Sequence, residues 1–339
     1  MKHKLCVIGY GGMGNWHVKN ALKSDVVELA GIHDIDEERN LLAEKNGIKA
    51  FRTLNEVLNN SEIELVTIAA PNNVHKEIAI KCMEAGKNVI CEKPIALNTI
   101  DLQEMIDVSI RTGKLFTVHQ NRRWDIDFLA IKQLYETGVI GEVFNIESRI
   151  HGSRGIPSDW RGKKENGGGM LYDWGVHLID QILMLYPENY IASVHCEFDH
   201  ITNKEVDDGF KLTLHFDNGA RAYIEVGTYN FIQMPRFYIQ GMKGTGIISV
   251  WNEPCHVVEC FAWNESDVIP VQTAAGLTKT MAPRDNITTK SYIIDCPVSD
   301  VHNFYRNVCA VLEGKEKQIV SHIQMMNVLK TIERAFSSI

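Results

Sequence analysis

The sequence contains no apolar run long enough to cross a bilayer. Its longest runs are short and interrupted, as in Leu178 to Leu185, where Asp180 and Gln181 intervene. The segment from Met1 to Ile8 leads directly into a strand-like pattern and shows no signal-peptide architecture. We therefore expect a cytoplasmic protein that does not associate with membranes.

Paired cysteines are also missing. The eight cysteines form no Cys-x-x-Cys pair, and Cys255 with Cys260 has no companion His/Cys pair at zinc-finger spacing. No other set of His, Cys, Asp and Glu falls at metal-ligand spacing. We expect reduced cysteines in the core and no required metal.

Clusters of basic residues are absent, and the formal net charge is −8. A nucleic-acid partner would favour the opposite charge balance, so we expect none. With 45% hydrophobic and 23% charged residues, the composition is typical of a globular protein. A length of 339 residues suggests two domains.

Strand and helix patterns alternate in the first third of the chain. The predicted strands are 5–8, 28–33, 65–69, 88–91 and 115–119, and the predicted helices are 13–23, 36–46, 74–85 and 98–111. Alternation at this spacing predicts an α/β fold with a doubly wound parallel sheet.

The pattern changes after residue 121. A helix at 126–136 and a strand at 142–150 are followed by a loop at 151–169 and a strong helix at 170–185. Long β-patterned runs follow at 190–199, 209–216, 219–229 and 235–250, with the turn signal Asp217-Asn218-Gly219 between two of them. The last 40 residues are helical in pattern. We predict that residues 122–339 form an α+β domain with a large, mostly antiparallel open sheet.

A glycine-rich turn lies directly after the first predicted strand and directly before the first predicted helix. The motif G-x-G-x-x-G is formed by Gly9, Tyr10, Gly11, Gly12, Met13 and Gly14. Glycines at these positions permit a tight turn and let backbone N–H groups approach a pyrophosphate. The motif predicts that residues 1–121 form a dinucleotide-binding Rossmann domain.

An acidic residue follows at the spacing that dinucleotide binding requires. Asp34 ends the second strand twenty residues after Gly14, where a carboxylate accepts hydrogen bonds from the adenosine ribose. It would repel a 2′-phosphate, and the next basic residue is Arg39, so NAD is favoured over NADP. The alternative interpretation makes Asp34 a helix cap beside Asp36.

Two further segments carry reactive side chains. Lys93 lies at the carboxyl edge of strand 88–91, and Pro94 restricts it to extended backbone and allows a cis peptide. A glycine triplet at 167–169 precedes a helix on which Asp173 and His177, four residues apart, share a face. Each feature alone also fits a surface lysine or a surface ion pair.

Together these segments resemble the Gfo/Idh/MocA family of oxidoreductases. The matching pieces are Gly9–Gly14, Ala70-Pro71-Asn72-x-x-His75, Ala85–Pro94 with its Glu92-Lys93-Pro94, and Gly167–His177. They cover the first 180 residues, and the β-rich remainder looks like the family's second domain. Asn121–Asp125 and Trp160-Arg161 resemble a branch with scyllo-inositol dehydrogenases. That branch often uses NADP, which Asp34 argues against.

The resemblance implies roles for individual residues. His177 would be the general base, Lys93 would stabilise a developing alkoxide, and Asp173 would hold the substrate hydroxyl. Further cofactor contacts are implied for Ala70, Pro71, Asn72, His75, Glu92 and Lys93. Candidates for the remaining substrate hydroxyls, any of which is alternatively structural, are Arg122 (or its neighbour Arg123), His151, Arg154, Trp160 and Tyr172.

We therefore expect an NAD-dependent oxidoreductase that transfers a hydride between the nicotinamide cofactor and a secondary hydroxyl of a sugar, glycoside or cyclic polyol such as inositol. One alternative is a redox-neutral enzyme that cleaves a glycoside through a keto intermediate and recycles its NAD. Another is an NAD-sensing regulator without catalysis. The expected partners are a small-molecule substrate and further copies of the chain, in a dimer or tetramer formed through the broad second sheet.

Overall fold

Six short strands of the first third pair into one parallel sheet in a computed structural model of the chain, which describes residues 2–186, 190–262, 268–284 and 286–338. The strand order is β3-β2-β1-β4-β5-β6. The strands are β1 (His3–Ile8), β2 (Val27–His33), β3 (Ala50–Phe51), β4 (Leu65–Ile68), β5 (Asn88–Cys91) and β6 (Phe116–Val118). This is the doubly wound Rossmann order, and ligands of such sheets bind where the order reverses, between β1 and β4. The predicted fold of this part is confirmed.

Five helices connect these strands. They are α1 (Gly12–Ala21), α2 (Glu37–Lys45), α3 (Leu54–Asn59), α4 (His75–Glu84) and α5 (Thr99–Thr112). The short elements β3 and α3 were not predicted. The central strands are buried on both faces, so their apolar side chains hold the sheet between the helices.

An eight-stranded sheet follows, in the order β16-β13-β12-β11-β7-β10-β9-β8. Its strands are β7 (Val143–His151), β8 (Ile191–Asp199), β9 (Gly209–Phe216), β10 (Arg221–Gly227), β11 (Phe237–Gly241), β12 (Gly244–Ile248), β13 (Cys255–Cys260) and β16 (Thr289–Ile294). Only β7 and β10 pair in parallel, so the predicted, mostly antiparallel sheet is confirmed. A separate small hairpin pairs β14 (Val271–Thr273) with β15 (Gly276–Thr278).

The turns of this sheet agree with the sequence only in part. The predicted turn at Asp217-Asn218-Gly219 joins β9 to β10, and Gly219 has a φ of +85°. The single run expected at 235–250 is instead a hairpin of β11 and β12, because Gly241 and Gly244 pair directly across a turn.

The helix expected at 170–185 begins with a π turn. Residues Leu171–Gly175 form this turn, and α7 (Val176–Leu185) continues from it. Asp207 fixes the start of the turn, since its backbone oxygen accepts the Met170 N–H and its carboxylate accepts the Leu171 N–H. Single π turns occur often at functional sites, and this one carries Asp173.

The remaining helices are α6 (Ile126–Thr137), α8 (His302–Leu312) and α9 (His322–Phe336). From α8, Tyr305 contacts His17 of α1, and Arg306 pairs with Asp25. From α9, which packs on α5 and α7, Glu333 accepts hydrogen bonds from Thr99. Helices α8 and α9 thus contact helices of both parts of the chain. The domain boundary after residue 121 stays a prediction.

All eight cysteines are unpaired, as expected, and six of them are buried. Within the described ranges, every helix is too short or too polar for a bilayer span.

Candidate active site

The glycine turn after β1 is tightly packed on one side and open on the other. Gly9 has a φ of +94°, and a Cβ on Gly14 would lie 1.9 Å from the Gly9 carbonyl oxygen, so neither position accepts a side chain. A Cβ on Gly12, in contrast, would meet no protein atom within 4 Å. Because α1 begins at Gly12, this open space lies at a helix N-terminus, where free N–H groups bind anions.

Asp34 lies directly after β2, beside this turn. Its Oδ2 accepts the Tyr10 N–H at 2.6 Å, and its Oδ1 accepts the Asp36 N–H at 2.9 Å. The cap of α2 is Asp36 rather than Asp34, since the Asp36 side chain accepts the Glu38 N–H. Arg39 Nη1 lies 3.3 Å from Asp34 Oδ2 and half of the Arg39 side chain is exposed, so a cation lies next to the Asp34 carboxylate.

A cavity of about 650 Å³ opens beside Asp34 at the reversal point of the sheet. Its lining includes Gly9, Asp34, Ala70 and Pro71. Its volume is in the range of small-molecule sites, and the open space at Gly12 leaves room for phosphates. The residues present therefore fit a dinucleotide.

Asn72 and His75, two other predicted cofactor residues, form hydrogen bonds to neighbouring loops. The Asn72 amide donates to the Gly167 carbonyl oxygen at 3.0 Å. The buried His75 ring lies between the carbonyl oxygens of Ala70 and Pro94, at 2.9 and 3.0 Å, and burial lowers the pKa of His75. Both residues hold the loops at the carboxyl edge of the sheet, and their contact with a cofactor stays a prediction.

Lys93 and Asp173, from different halves of the chain, meet at this edge. Lys93 Nζ donates to both Oδ1 and the backbone oxygen of Asp173, each at 2.8 Å. Arg161 Nε lies 3.2 Å from the other carboxylate oxygen. Burial alone would raise the pKa of Asp173, but the charges of Lys93 and Arg161 hold that pKa below its usual value. Asp173 is thus an ionised acceptor between two cations. The Lys93–Pro94 peptide is cis, as the sequence allowed.

His177 lies on the first turn of α7 and is 4% exposed. Its Nδ1 is 3.2 Å from Oε1 of Gln120, at the end of β6. Burial, followed by the charges of Lys93 and Arg122, holds the pKa of His177 well below 6.5. The imidazole is therefore neutral at pH 7 and can accept a proton.

Glu92 forms a buried network behind Lys93. Its Oε1 lies 2.7 Å from His17 Nε2 and 2.9 Å from His119 Nδ1, while Tyr305 contacts the other nitrogen of His17. Burial would raise the pKa of Glu92, but the two histidines hold it well below 4.5. Glu92 Oε2 also accepts the Lys93 N–H, so the network anchors the backbone that carries Lys93.

Within the part of the chain that the structure describes, His17, Glu92 and His119 form the group whose spacing could hold a metal ion. Sequence spacing did not reveal this group, because its members come from three distant segments. Its facing atoms are joined to one another by hydrogen bonds. The expectation that no metal is required stays a prediction.

A second cavity of about 350 Å³ lies beside Asp173. Its lining includes Ser153, Arg154, Met170, Trp174 and Thr228. Arg154 is the exposed cation of this wall. A mixed polar and apolar wall next to a carboxylate suits a small polyhydroxylated molecule.

Arg122, Trp160 and His151, three other proposed substrate residues, do not line this cavity and contact protein groups. Arg122 stacks on Trp174, with 4.1 Å from Cζ to the ring centre, and pairs with Asp125. Trp160 lies under the Arg161 guanidinium at 4.5 Å. The buried His151 ring lies 3.3 Å from Glu225. Their contact with substrate stays a prediction.

Tyr172 also contacts protein groups. Its hydroxyl donates to the Leu97 carbonyl oxygen at 2.7 Å, and burial raises its pKa to about 12. The glycine triplet contacts protein as well, since a Cβ on Gly168 would lie 2.1 Å from the Arg161 carbonyl oxygen and one on Gly169 would lie 2.2 Å from Asp207 Oδ1. Gly168 thus allows close packing against the loop that carries Arg161, and Gly169 allows the close approach of Asp207.

Sequence reasoning missed Gln120 and Arg161 as site residues. Gln120 had a signal, because it follows a predicted strand at the same sheet edge as Lys93. Arg161 had a weaker one, as a cation in the glycine-rich loop. The structure separates Arg122 from Arg123: Arg123 is bound to Asp180 by two hydrogen bonds inside the protein, whereas Arg122 is partly exposed and stacks on Trp174. Which of the two contacts substrate stays a prediction.

Comparison with known proteins agrees with this architecture. Residues 3–120 match the NAD-binding Rossmann fold of an oxidoreductase family, and residues 128–246 match the GFO/IDH/MocA C-terminal domain. A solved NAD-binding protein from Listeria innocua is 44% identical, with a TM-score of 0.96 over 99% of this chain and 97% of that one. The class of protein defined by fold and site is thus a two-part NAD-binding oxidoreductase.

The chain belongs to the Gfo/Idh/MocA family. The scyllo-inositol 2-dehydrogenase (NADP(+)) IolW of Bacillus subtilis is 31% identical over 72% of this chain and 68% of that protein. An uncharacterised oxidoreductase of Schizosaccharomyces pombe is 38% identical over 50% of this chain, and that match spans 46% of the yeast protein. The chain thus aligns with less than half the length of this yeast relative.

Proposed function

We propose that this protein is an NAD-dependent oxidoreductase acting on a secondary hydroxyl of a sugar, glycoside or cyclic polyol. The observation that carries the proposal is that Lys93 is hydrogen-bonded to Asp173, which lines the second cavity, while the charge of Lys93 acts on the neutral, buried His177. The likeness to IolW supports a cyclic polyol as the first substrate class to examine.

The three residues have complementary roles in oxidation. His177 is neutral and accepts the hydroxyl proton of the substrate. Lys93 donates to the same oxygen and stabilises its negative charge as the C=O bond forms. Asp173, held ionised by two cations, accepts a hydrogen bond from a substrate hydroxyl and orients Lys93. In reduction the proton returns from His177 to the oxygen.

The cofactor would lie along the carboxyl edge of the parallel sheet. The turn of Gly9 to Gly14 would hold its pyrophosphate, and Asp34 would accept from its adenosine ribose. When bound, NAD supplies the hydride acceptor at its nicotinamide ring. Ala70 and Pro71 form the facing wall.

We further propose a preference for NAD over NADP. The Asp34 carboxylate would repel a 2′-phosphate, and Arg39, the nearby cation, is already engaged with Asp34 and Asp36. IolW uses NADP according to its name, so cofactor choice varies within the family at this level of identity.

The test is a panel of inositols, hexoses and glycosides with NAD or NADP, followed by NADH or NADPH absorbance. The proposal predicts reduced cofactor with at least one polyol or sugar for the wild-type protein, and formation that is slower by roughly a hundredfold or more for His177→Ala. Cleavage of a glycoside without net NADH would instead support the redox-neutral alternative. Tight NAD binding without turnover across the panel would support the regulator.

We also propose that copies of the chain associate through the open face of the second sheet. Tyr223 on β10 and Ile293 on β16 are 44% and 59% exposed, which is unusual for large apolar side chains in strands. Light scattering after gel filtration tests this, with a dimer or tetramer expected and a monomer contradicting it.

A further inference from the structure

The backbone of Gln120, two residues after β6, is fixed by hydrogen bonds on both sides. Its backbone has φ −81° and ψ 64°, and its N–H donates to the Val118 carbonyl oxygen at 3.0 Å. Its own carbonyl oxygen accepts the Arg123 N–H. The side chain is 3% exposed.

Two buried clamps hold the segment after Gln120 against the helix that carries His177. Arg123 donates to both carboxylate oxygens of Asp180, at 2.7 and 2.5 Å. Gln181 donates to the Arg122 carbonyl oxygen at 2.7 Å. Asp180 and Gln181 lie one turn beyond His177 on α7, so these contacts fix the distance between His177 and Gln120.

The atoms that meet decide where the imidazole proton lies. Gln120 presents Oε1, an acceptor, to His177 Nδ1 at 3.2 Å. A neutral imidazole has one N–H, so donation from Nδ1 leaves the lone pair on Nε2. Among the described residues, no hydrogen bond to His177 Nε2 is formed, which leaves that atom for substrate.

We propose that Gln120 is a positioning residue that keeps the proton of neutral His177 on Nδ1 and presents Nε2 as the base. The inference rests on the proposed function of His177. A neutral amide fixes the tautomer as a carboxylate would, without the negative charge that would stabilise an imidazolium. His177 is thereby oriented while it remains easy to deprotonate.

The charged groups around His177 also affect its pKa. Lys93 from the end of β5 and Arg122 from the turn after β6 disfavour its protonation, as does His119, and Glu92 favours it. A carboxylate at position 120 would add an anion at hydrogen-bond distance. Opposite charges this close shift a pKa by about 1–3 units.

Two substitutions separate positioning from packing. Gln120→Leu removes the acceptor, and we expect kcat to fall roughly tenfold to a hundredfold while the cofactor KM changes little. Gln120→Glu keeps an acceptor oxygen, so kcat should be retained better, while the acid limb of kcat/KM moves up by about one pH unit or more. Gln103→Glu, on the exposed face of α5, is the matched control and should leave the profile unchanged.

Ring nitrogen shifts of ¹⁵N-histidine-labelled protein test the tautomer without turnover. The His177 signals, assigned by comparison with His177→Ala, should show Nδ1–H in the wild type and in Gln120→Glu, and a mixture in Gln120→Leu. The buried His75 serves as internal reference. An Nε2–H wild type, or equal loss of kcat in both Gln120 variants with an unmoved pH profile, would overturn the proposal. Full activity of His177→Ala would instead contradict the proposed function.

Discussion

Lys93 Nζ lies 2.8 Å from both Oδ1 and the backbone oxygen of Asp173, eighty residues further along the chain. Lys93 follows strand β5 of the parallel sheet, and Asp173 lies in the π turn that contacts β10 of the other sheet. The candidate active site therefore forms where the two halves of the fold meet. Its chemistry depends on the contacts that hold them together.

The glycine turn offers a direct test of cofactor binding. Gly12→Ala should fold with unchanged thermal stability, because its Cβ would meet no protein atom, yet it should raise the KM for NAD about tenfold or more by occupying the phosphate space. Gly14→Ala is the contrasting variant, since its Cβ would lie 1.9 Å from the Gly9 carbonyl oxygen and should destabilise the fold. Thermal melts with and without NAD check both. An unaltered NAD affinity in Gly12→Ala would contradict the assignment of this turn.

Cofactor preference should depend on the pair of Asp34 and Arg39. Asp34→Ser removes the repulsive carboxylate and releases Arg39, so the ratio of kcat/KM for NADP over NAD should rise at least about tenfold. The double variant Asp34→Ser with Arg39→Ala should lose most of this gain. Better turnover of the wild type with NADP than with NAD would show that the interpretation of Asp34 is wrong.

Acid should destabilise the fold through buried histidines. The pKa values of His17, His75 and His177 are all lowered in the folded state, in each case first by burial. The unfolded chain, with histidine pKa values near 6.5, therefore binds more protons. Below about pH 6.5, unfolding becomes easier by about 1.4 kcal/mol per pH unit for each such histidine.

Thermal melts between pH 7.5 and 5 measure this slope. His75→Gln should make it shallower, and His195→Gln, at an exposed position on β8, should leave it unchanged. Stability that is independent of pH across this range would contradict the buried neutral state of these histidines.

Chelation should not affect turnover. Glu92 Oε1 is already hydrogen-bonded to His17 and His119, and the proposed chemistry uses Lys93 rather than a metal as the electrophile. Activity after EDTA treatment should match the untreated protein, and elemental analysis should find far less than one metal ion per chain. Loss of activity that zinc or manganese restores would overturn this expectation.

The sequence was sufficient for elements with strong local signals. The alternation up to residue 121 and the turn at Gly219 predicted the parallel sheet and one hairpin correctly. Strands β13 and β16 were not predicted, and the residues of β16 alternate only weakly, from intermediate to exposed. Nothing in a local pattern distinguishes such a strand from a loop.

Sequence alone predicted those site residues whose side chains are charged or titratable. Lys93, Asp173 and His177 stand out because they titrate or carry charge. The role of Gln120 depends on a contact with His177, 57 positions away in the sequence. Likewise, the conformation of the turn after Gln120 directs the Arg123 side chain into the protein, towards Asp180, and leaves Arg122 partly exposed. Tertiary geometry of this kind has no signature in a single sequence.

The measurement that tests the central claim most directly is single-turnover NADH formation by His177→Ala, alongside Lys93→Ala and Asp173→Asn, with the best substrate of the panel. We predict that His177→Ala and Lys93→Ala each lower the rate by roughly a hundredfold or more, while NAD affinity changes far less. Asp173→Asn, which keeps shape and loses charge, should lose less. A wild-type rate in folded, NAD-bound His177→Ala would leave the proposed reaction without its base and would contradict the account.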